Sequence, residues 1–334
     1  MVNHYPLLFT PIHKKMIWGS ESWDISCRPN EMGIIKNGPN LGMTFENYID
    51  KDRIGTLGTR IAAKEGFPLL VKIIDARDTL SVQVHPGDDY VAGASDTGKT
   101  EMWYILSPPT DGQLVIGLKP GITPFALRRA FETDAVEECL NRLTVKTGDI
   151  VNIPAGLVHA LTPGAIVAEV QQNSDITYRL YDYNRRSPDG NPRQLHVEDA
   201  IAVTDFDSKI PKTTTPGLTI KKGDCNMVYT IANLYFGIIK YELSGKLEEA
   251  SDPTAFSIFT CVKGEAEIMG ITIQAGCSVF IPAGLGTFNL RSKPGETCIL
   301  IKSFVPDIER DFIQHLTAYG YTNEEIIANL ALGR

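Results

Sequence analysis

The chain has 334 residues, 43% of them hydrophobic and 22% charged, with a net charge of −8 at pH 7. Such a composition belongs to a globular chain long enough for two domains, and no apolar run approaches the about 18 residues of a membrane span. The acidic balance argues against nucleic acid or an anionic membrane as partner. Six scattered cysteines without a Cys-x-x-Cys pair argue against a thiolate zinc site or a disulfide framework, and suit a reducing cytoplasm. The opening Met1-Val2-Asn3-His4-Tyr5-Pro6 has no charged segment followed by an apolar one, so no secretory signal is expected.

In chain order, the first sixty residues are rich in Gly, Pro and Asn. Trp18-Gly19-Ser20-Glu21-Ser22-Trp23 precedes a strand through Ile25, and residues 41–60 hold short helical pieces. The apolar run 67–75, broken by Lys72, predicts a buried strand. Residues 80–85 predict the next, closed by the turn Pro86-Gly87-Asp88-Asp89. Strands follow at 101–106 and 114–118. From Thr123 to Leu143 the apolar residues Phe125, Leu127, Ala130, Phe131, Val136 and Leu140 recur at helical spacing, with Thr123-Pro124 as a start, so a helical insertion is expected there. Strands resume at 150, 166–172 and 177–183. Residues 206–228 read as a linker, 229–304 as strands, and 307–332 as helix broken at Gly320.

One stretch repeats. Ile153-Pro154-Ala155-Gly156-Leu157 recurs as Ile281-Pro282-Ala283-Gly284-Leu285, each five residues after a glycine, Gly148 and Gly276. Two β units of one kind are therefore expected, residues 1–205 and 229–334. The second has Thr287 where the first has His159, and a looser match sets Ala255 against Glu101. The second unit should carry the scaffold without the metal.

The chemistry concentrates in the first unit. In Leu80-Ser81-Val82-Gln83-Val84-His85-Pro86, side-chain alternation puts Ser81, Gln83 and His85 on one face. Lys99-Thr100-Glu101-Met102-Trp103-Tyr104 adds a carboxylate at the head of a strand. Gly148, five residues, Pro-x-Gly, two residues and His159 make a strand, a tight turn and an imidazole. Gln83, His85, Glu101 and His159 form a set of two nitrogen and two oxygen donors that suits zinc, manganese, iron or nickel. Lys99 shares the Glu101 face if the strand reaches back, and Asp175, Arg179 and Arg185 share a parity. His4, His13, His196 and His315 read as surface or packing residues.

These motifs resemble the type I mannose-6-phosphate isomerase (phosphomannose isomerase) family in its short bacterial form. The resemblance runs through Trp18-Gly19, Phe67-Pro68-Leu69-Leu70-Val71-Lys72, the Ser-x-Gln-x-His-Pro and Lys-x-Glu-Met-Trp motifs, Pro-Ala-Gly-x₂-His, and Asn173-Ser174-Asp175 up to Arg179. It implies a mainly β fold of two cupin (jelly-roll-like) barrels, with a helical insertion in the first and helices at the C-terminus. It implies one Zn²⁺ per chain, held in the first barrel by Gln83, His85, Glu101 and His159. Trp18, Ser81, Lys99, Asp175 and Arg179 would surround a small sugar phosphate. Arg185 falls where longer relatives place a phosphate-binding lysine, although this chain reads Leu180-Tyr181-Asp182-Tyr183 where they read Ala-Gly-Leu-Thr.

The expected reaction interconverts mannose 6-phosphate and fructose 6-phosphate through a cis-enediolate, in the cytoplasm. The metal would act as Lewis acid, Arg179 as electrostatic stabiliser, and Lys99, Asp175 or a metal-bound hydroxide as the proton-shuttling base. Two other readings compete. The first is another metal cupin enzyme, such as a different sugar isomerase or an iron oxygenase, the latter of which would usually show two His and one carboxylate without Gln83. A non-enzymatic sugar-binding cupin would have lost a ligand, Lys99 or Arg179.

Overall fold

Strands that are apolar at every second position must bury one face, and within residues 74–214 two antiparallel sheets do so against each other. The computed structural model describes residues 3–64, 66–91, 96–186, 190–207 and 214–333. The chain divides into one unit of His13–Glu21 and Ile74–Thr214 and another of Met1–Ile12, Ser22–Ile73 and Thr215–Arg334.

In the unit built on residues 74–214, one sheet has the order Leu140–Thr144, Gln113–Leu118, His159–Ala160, Val82–Val84, Tyr178–Tyr181. Facing it, Glu101–Ser107 lies between Ile150–Ile153 and Ile166–Gln172. Trp103 and Ile105 of the second sheet meet Leu114, Ile116 and Leu143 of the first in a shared apolar core. Parity then decides which polar groups enter. Glu101 shares a face with Trp103 and Ile105, while His159 lies opposite Ile116 on one side and Gln83 on the other. All three therefore project between the sheets. The intervening Val82, Val84, Val115 and Ala160 point outward, where the helices Pro124–Glu132 and Val197–Val203 bury them.

The helical insertion is shorter than its apolar spacing predicts. Thr123 caps Pro124–Glu132 by accepting from the Ala126 amide at 3.2 Å. The helix stops at Thr133, Asp134 takes a left-handed φ of 56°, and Val136–Cys139 is a 3₁₀ turn. Leu140 and Leu143 belong to a strand, paired with Leu118 and Leu114. Their burial comes from sheet pairing that happens to fall near helical spacing, and Phe125, expected inside, is 71% exposed.

The other unit has a sheet of order Leu218–Lys222, Cys225–Ala232, Gly237–Leu243, Cys298–Phe304, Ser257–Lys263, Ser278–Ile281, with Ala331–Leu332 added in parallel to Cys225–Ala232. A second sheet joins Lys246–Ala250, Thr287–Ser292, Glu265–Ile268 and Ile271–Gln274. Part of the segment read as linker is thus strand: Ile220 pairs with Met227, and residues 208–213 lie outside the described residues. The short helices Phe45–Lys51, Arg53–Leu57 and Thr59–Ala62, assigned by sequence to residues 1–205, group with this unit. The Thr59 and Arg60 amides donate to the Pro253 and Thr254 carbonyls at 3.0 and 3.1 Å. Phe45, Phe67, Phe256 and Phe280 stack into one aromatic cluster with centroids 4.8–5.2 Å apart.

The register of the repeat corrects the looser sequence match. Ile153 pairs with Glu101, and its counterpart Ile281 pairs with Ser257. Ser257, not Ala255, therefore stands where the first unit has its carboxylate.

Candidate metal centre

Four predicted ligands come from three segments that neighbour one another only after folding. Val82–Val84 delivers Gln83 and, just past its end, His85; Glu101 opens its strand; His159 follows the Pro154-Ala155-Gly156 turn. His85, Glu101 and His159 are almost completely buried, and their ligand atoms lie within 4.8 Å of one another. Glu101 Oε2 is 3.4 Å from His85 Nε2, and Oε1 is 3.3 Å from His159 Nε2. Gln83 Nε2 sits 3.3 Å from His159 Nε2.

The outer hydrogen bonds set the chemistry. His85 Nδ1 donates to the Ile176 carbonyl and His159 Nδ1 to the Leu157 carbonyl, both at 2.8 Å. Each ring therefore turns an unprotonated Nε2 towards the carboxylate, as metal-binding imidazoles do. Burial, then the neighbouring Lys99 charge, pushes His85 down to about 3, and burial lowers His159 as well, so both rings are neutral. Burial alone would raise Glu101, but the Lys99 ammonium outweighs it and holds the carboxyl well below its usual range. Oε1 accepts no hydrogen bond among the described residues, and Oε2 faces the Lys99 ammonium at 3.1 Å and the His85 ring. Lone pairs facing a buried anion repel it, and a divalent cation among them would turn that repulsion into ligation. The donor set fits a metal.

Lys99 reaches this centre from outside the strand. Its Nζ lies 3.1 Å from both His85 Nε2 and Glu101 Oε2, and the side chain is buried. Burial would lower its pKa, but the Glu101 and Glu169 charges prevail and raise it, so Lys99 is an ammonium. The loop is pinned at successive residues: the Gly98 amide donates to Asp88 Oδ1, that of Lys99 to the Pro86 carbonyl, and that of Thr100 to Gln172 Oε1. Gly98 must be glycine, because a Cβ there would fall 2.5 Å from the Asp88 nitrogen.

The remaining site residues are distributed unevenly. Arg179 lies opposite Gln83 on Tyr178–Tyr181, hence on the inner face. Its Nη1 donates to the Gln194 carbonyl at 2.7 Å, while its buried Nε has no hydrogen-bond acceptor among the described residues. Asp175 precedes that strand and is exposed, with its backbone amide 3.3 Å from Asp96 Oδ2. The parity drawn through to Arg185 breaks, since the strand ends at Tyr181 and Tyr183 and Asn184 have left-handed φ values. Arg185 instead donates to Asp182 Oδ1 at 2.5 Å and to the Thr79 carbonyl, with Asp78 Oδ2 at 3.4 Å. Ser81 is buried just before its strand. Trp18 is 4% exposed in the core with Leu80 and Trp103, and Gly19 beside it leaves no room for a Cβ, which would meet the Asp75 carbonyl oxygen at 2.0 Å.

Sequence reasoning missed Arg193. Its Nε donates to Asp182 Oδ2 at 2.7 Å, and Nη2 reaches Oδ1 of the same carboxylate. Burial would raise Asp182, but the two guanidiniums lower it. Two arginines thus clasp one aspartate, with Arg179 near enough to feel their charges. The only signal was Arg193 itself, which lies eleven residues past Asp182 in a loop without periodicity. A larger cavity, about 830 Å³ in volume, lies along residues 117–122, 141–144 and 204–207 and contains none of these groups.

Two facing β-sheets with a buried His–Glu–His group between them define the class, a cupin with a candidate metal centre. Residues 11–120 match the family described as phosphomannose isomerase type I, catalytic domain, and residues 226–305 match mannose-6-phosphate isomerase, cupin domain. The chain is 33% identical to the probable mannose-6-phosphate isomerase GmuF of Bacillus subtilis, over 86% of this chain and 96% of that one. It is 33% identical to mannose-6-phosphate isomerase ManA of the same organism, over 85% and 95%. The solved mannose 6-phosphate isomerase from Bacillus subtilis superposes with a TM-score of 0.80 at 29% identity, covering 90% of this chain and 99% of that one. A variant of phosphomannose isomerase from Salmonella typhimurium shares the fold, with a TM-score of 0.68 at 16% identity, over 90% and 100%. The chain belongs to the type I phosphomannose isomerase family, a family of metal-dependent enzymes. Among the described residues no helix is long and apolar enough to cross a membrane.

Proposed function

We propose that this chain interconverts mannose 6-phosphate and fructose 6-phosphate as a zinc-dependent aldose–ketose isomerase. The observation that carries the reading is the convergence of two unprotonated imidazole nitrogens on one buried carboxylate. Gln83, His85, Glu101 and His159 would hold one Zn²⁺, an ion that takes such nitrogen and oxygen donors tetrahedrally. Bound there, it would supply Lewis acidity at the carbonyl and hydroxyl oxygens of the open-chain sugar.

The protein's own groups divide the rest. Arg179 is permanently charged and has a buried Nε without an acceptor among the described residues, so it is suited to stabilise negative charge as the enediolate develops. Proton transfer between C1 and C2 needs an unprotonated base, and exposed Asp175 is one candidate. Lys99, held as an ammonium by the Glu101 and Glu169 charges, would serve only once a bound cation had taken over the charge of Glu101. Arg185 and Arg193, with Arg179, give the phosphate a net positive environment around Asp182, although the Arg185 donors are largely held by Asp182, Thr79 and Asp78. Ser81 and Trp18 would shape the wall against which the sugar lies. Six free cysteines suit a cytoplasmic setting.

A coupled assay of mannose 6-phosphate conversion tests the reading. Activity should vanish with chelator and return with Zn²⁺. Chelator-insensitive turnover would remove the metal from the reaction, and no turnover in metal-replete protein would remove the reaction itself.

A further inference from the structure

The second barrel has an interior of its own. A cavity of about 360 Å³ opens within the unit of residues 215–334, a size in the range of small-molecule sites. Its walls depart from an ordinary apolar core. Along the inner face, Tyr229, Ile239 and Lys302 lie side by side on three neighbouring strands, with Phe259 next in the row. Lys302 therefore projects inward, with its ammonium 5.5–6.0 Å from the ring centroids of Phe304, Phe259 and Tyr241.

One carboxylate answers it from the facing sheet. Glu249 is only 8% exposed, and its Oε2 is 3.7 Å from Lys302 Nζ and 3.4 Å from the fully buried Tyr241 hydroxyl. Its Oε1 is 3.1 Å from Lys222 Nζ at the mouth. At the same rim, Arg310 is paired with two carboxylates, Asp252 and Asp311. The inner group thus sets two ammoniums on one carboxylate, while the rim sets two carboxylates on one guanidinium. Positive charge is therefore in excess only at the inner, aromatic-walled end. Lys302 also has no protein acceptor within hydrogen-bond distance among the described residues, its nearest carboxylate oxygen being 3.7 Å away. A partly buried cation without its full complement of acceptors is costly unless a ligand supplies them.

The location is not arbitrary. Ser257, the counterpart of the metal-binding Glu101 by strand register, opens onto this cavity. Among the described residues no second group of His, Cys, Asp and Glu converges as metal ligands do. In the second unit lysine, glutamate and tyrosine line the cavity beside that register position.

We propose that this cavity binds a monosaccharide bearing one anionic group, a phosphate or a carboxylate. Lys302 and Lys222 meet the anion; Glu249 and the Tyr241 hydroxyl meet sugar hydroxyls; the Tyr229 and Phe304 rings face the apolar side of the sugar. The site is separate from the metal centre and does not depend on the isomerase reading.

Calorimetric titration of the full chain with glucose 6-phosphate and with gluconate distinguishes the two anion sources, with glucose and inorganic phosphate as controls. Titrations are run on the unaltered protein, on Arg179→Ala, on Lys302→Met and on Lys222→Met, whose half-exposed side chain can be replaced without disturbing the core. The event that survives in Arg179→Ala should weaken at least about tenfold in both lysine variants. Binding in Arg179→Ala that neither lysine substitution weakens would overturn the proposal, as would no such binding at all. Glucose binding as well as its phosphate would remove the anion requirement, and inorganic phosphate binding as tightly as either sugar would reduce the site to a bare anion pocket; each refutes the assignment.

Discussion

Replacing Lys99 with methionine should cost little in the metal-loaded protein and much in the metal-free one. Lys99 Nζ lies 3.1 Å from Glu101 Oε2, and both side chains are almost fully buried. Without a metal, the lysine is the cation nearest that carboxylate. Removing one member of a buried ion pair costs about 3–5 kcal/mol, because the other charge is left uncompensated. At about 2–4 °C per kcal/mol for a unit of this size, chelated Lys99→Met should melt roughly 6–20 °C below chelated wild type. With Zn²⁺ present the ion takes over the charge of Glu101, and methionine fills the space at a cost of about 1 kcal/mol or less. Glu101→Gln supplies the contrast: it strands Lys99 and removes a ligand, so Zn²⁺ should not rescue it. Thermal melts of the three proteins with chelator and with Zn²⁺ make the comparison. An equal penalty for Lys99→Met under both conditions would refute the claim that Glu101 shares its charge with a metal.

Arg179→Ala should lower kcat about 100-fold or more with a smaller change in KM, as expected for a group that acts mainly on developing charge; steady-state kinetics with an unchanged kcat would exclude it from that role. Burial raises Asp24 from 3.8 to about 6, so the folded state binds this proton more tightly than the unfolded chain. The sign follows: its contribution is most favourable below about pH 3.8 and is lost as pH rises through about 6, a swing of about 3 kcal/mol. Asp24→Asn should flatten stability between about pH 4 and 6 and stabilise the protein at neutral pH, and a pH profile identical to wild type would contradict this. Phe280→Ala, which opens the cluster with Phe45, Phe67 and Phe256, should cost about 3–5 kcal/mol in urea denaturation; a midpoint within error of wild type would show that the cluster relaxes to fill the gap.

Much of this architecture was written locally. Gln83 between two valines announces a strand with one polar and one apolar face, and the structure buries Val82 and Val84 under helices while Gln83 turns inward. Pro154-Ala155-Gly156 announces the turn that brings His159 back between the sheets, and its duplicate at 282–284 announces a second unit of the same kind. Such signals survive in one dimension because alternation and turn chemistry act over a few residues.

What the sequence could not settle involves partners far along the chain. Leu140 and Leu143 have helical spacing, but the ladder to Leu118 and Leu114 makes them strand. The loop bonds that carry Lys99 into the centre come from Asp88, Pro86 and Gln172, so its position depends on three remote segments. Arg193 joins Asp182 only where a loop without periodicity turns back. By itself the sequence determined which side chains can ligate, which strands alternate and where the chain repeats. Tertiary structure alone decided which atoms meet, because convergence of buried charges depends on register and loop closure, which no local pattern encodes.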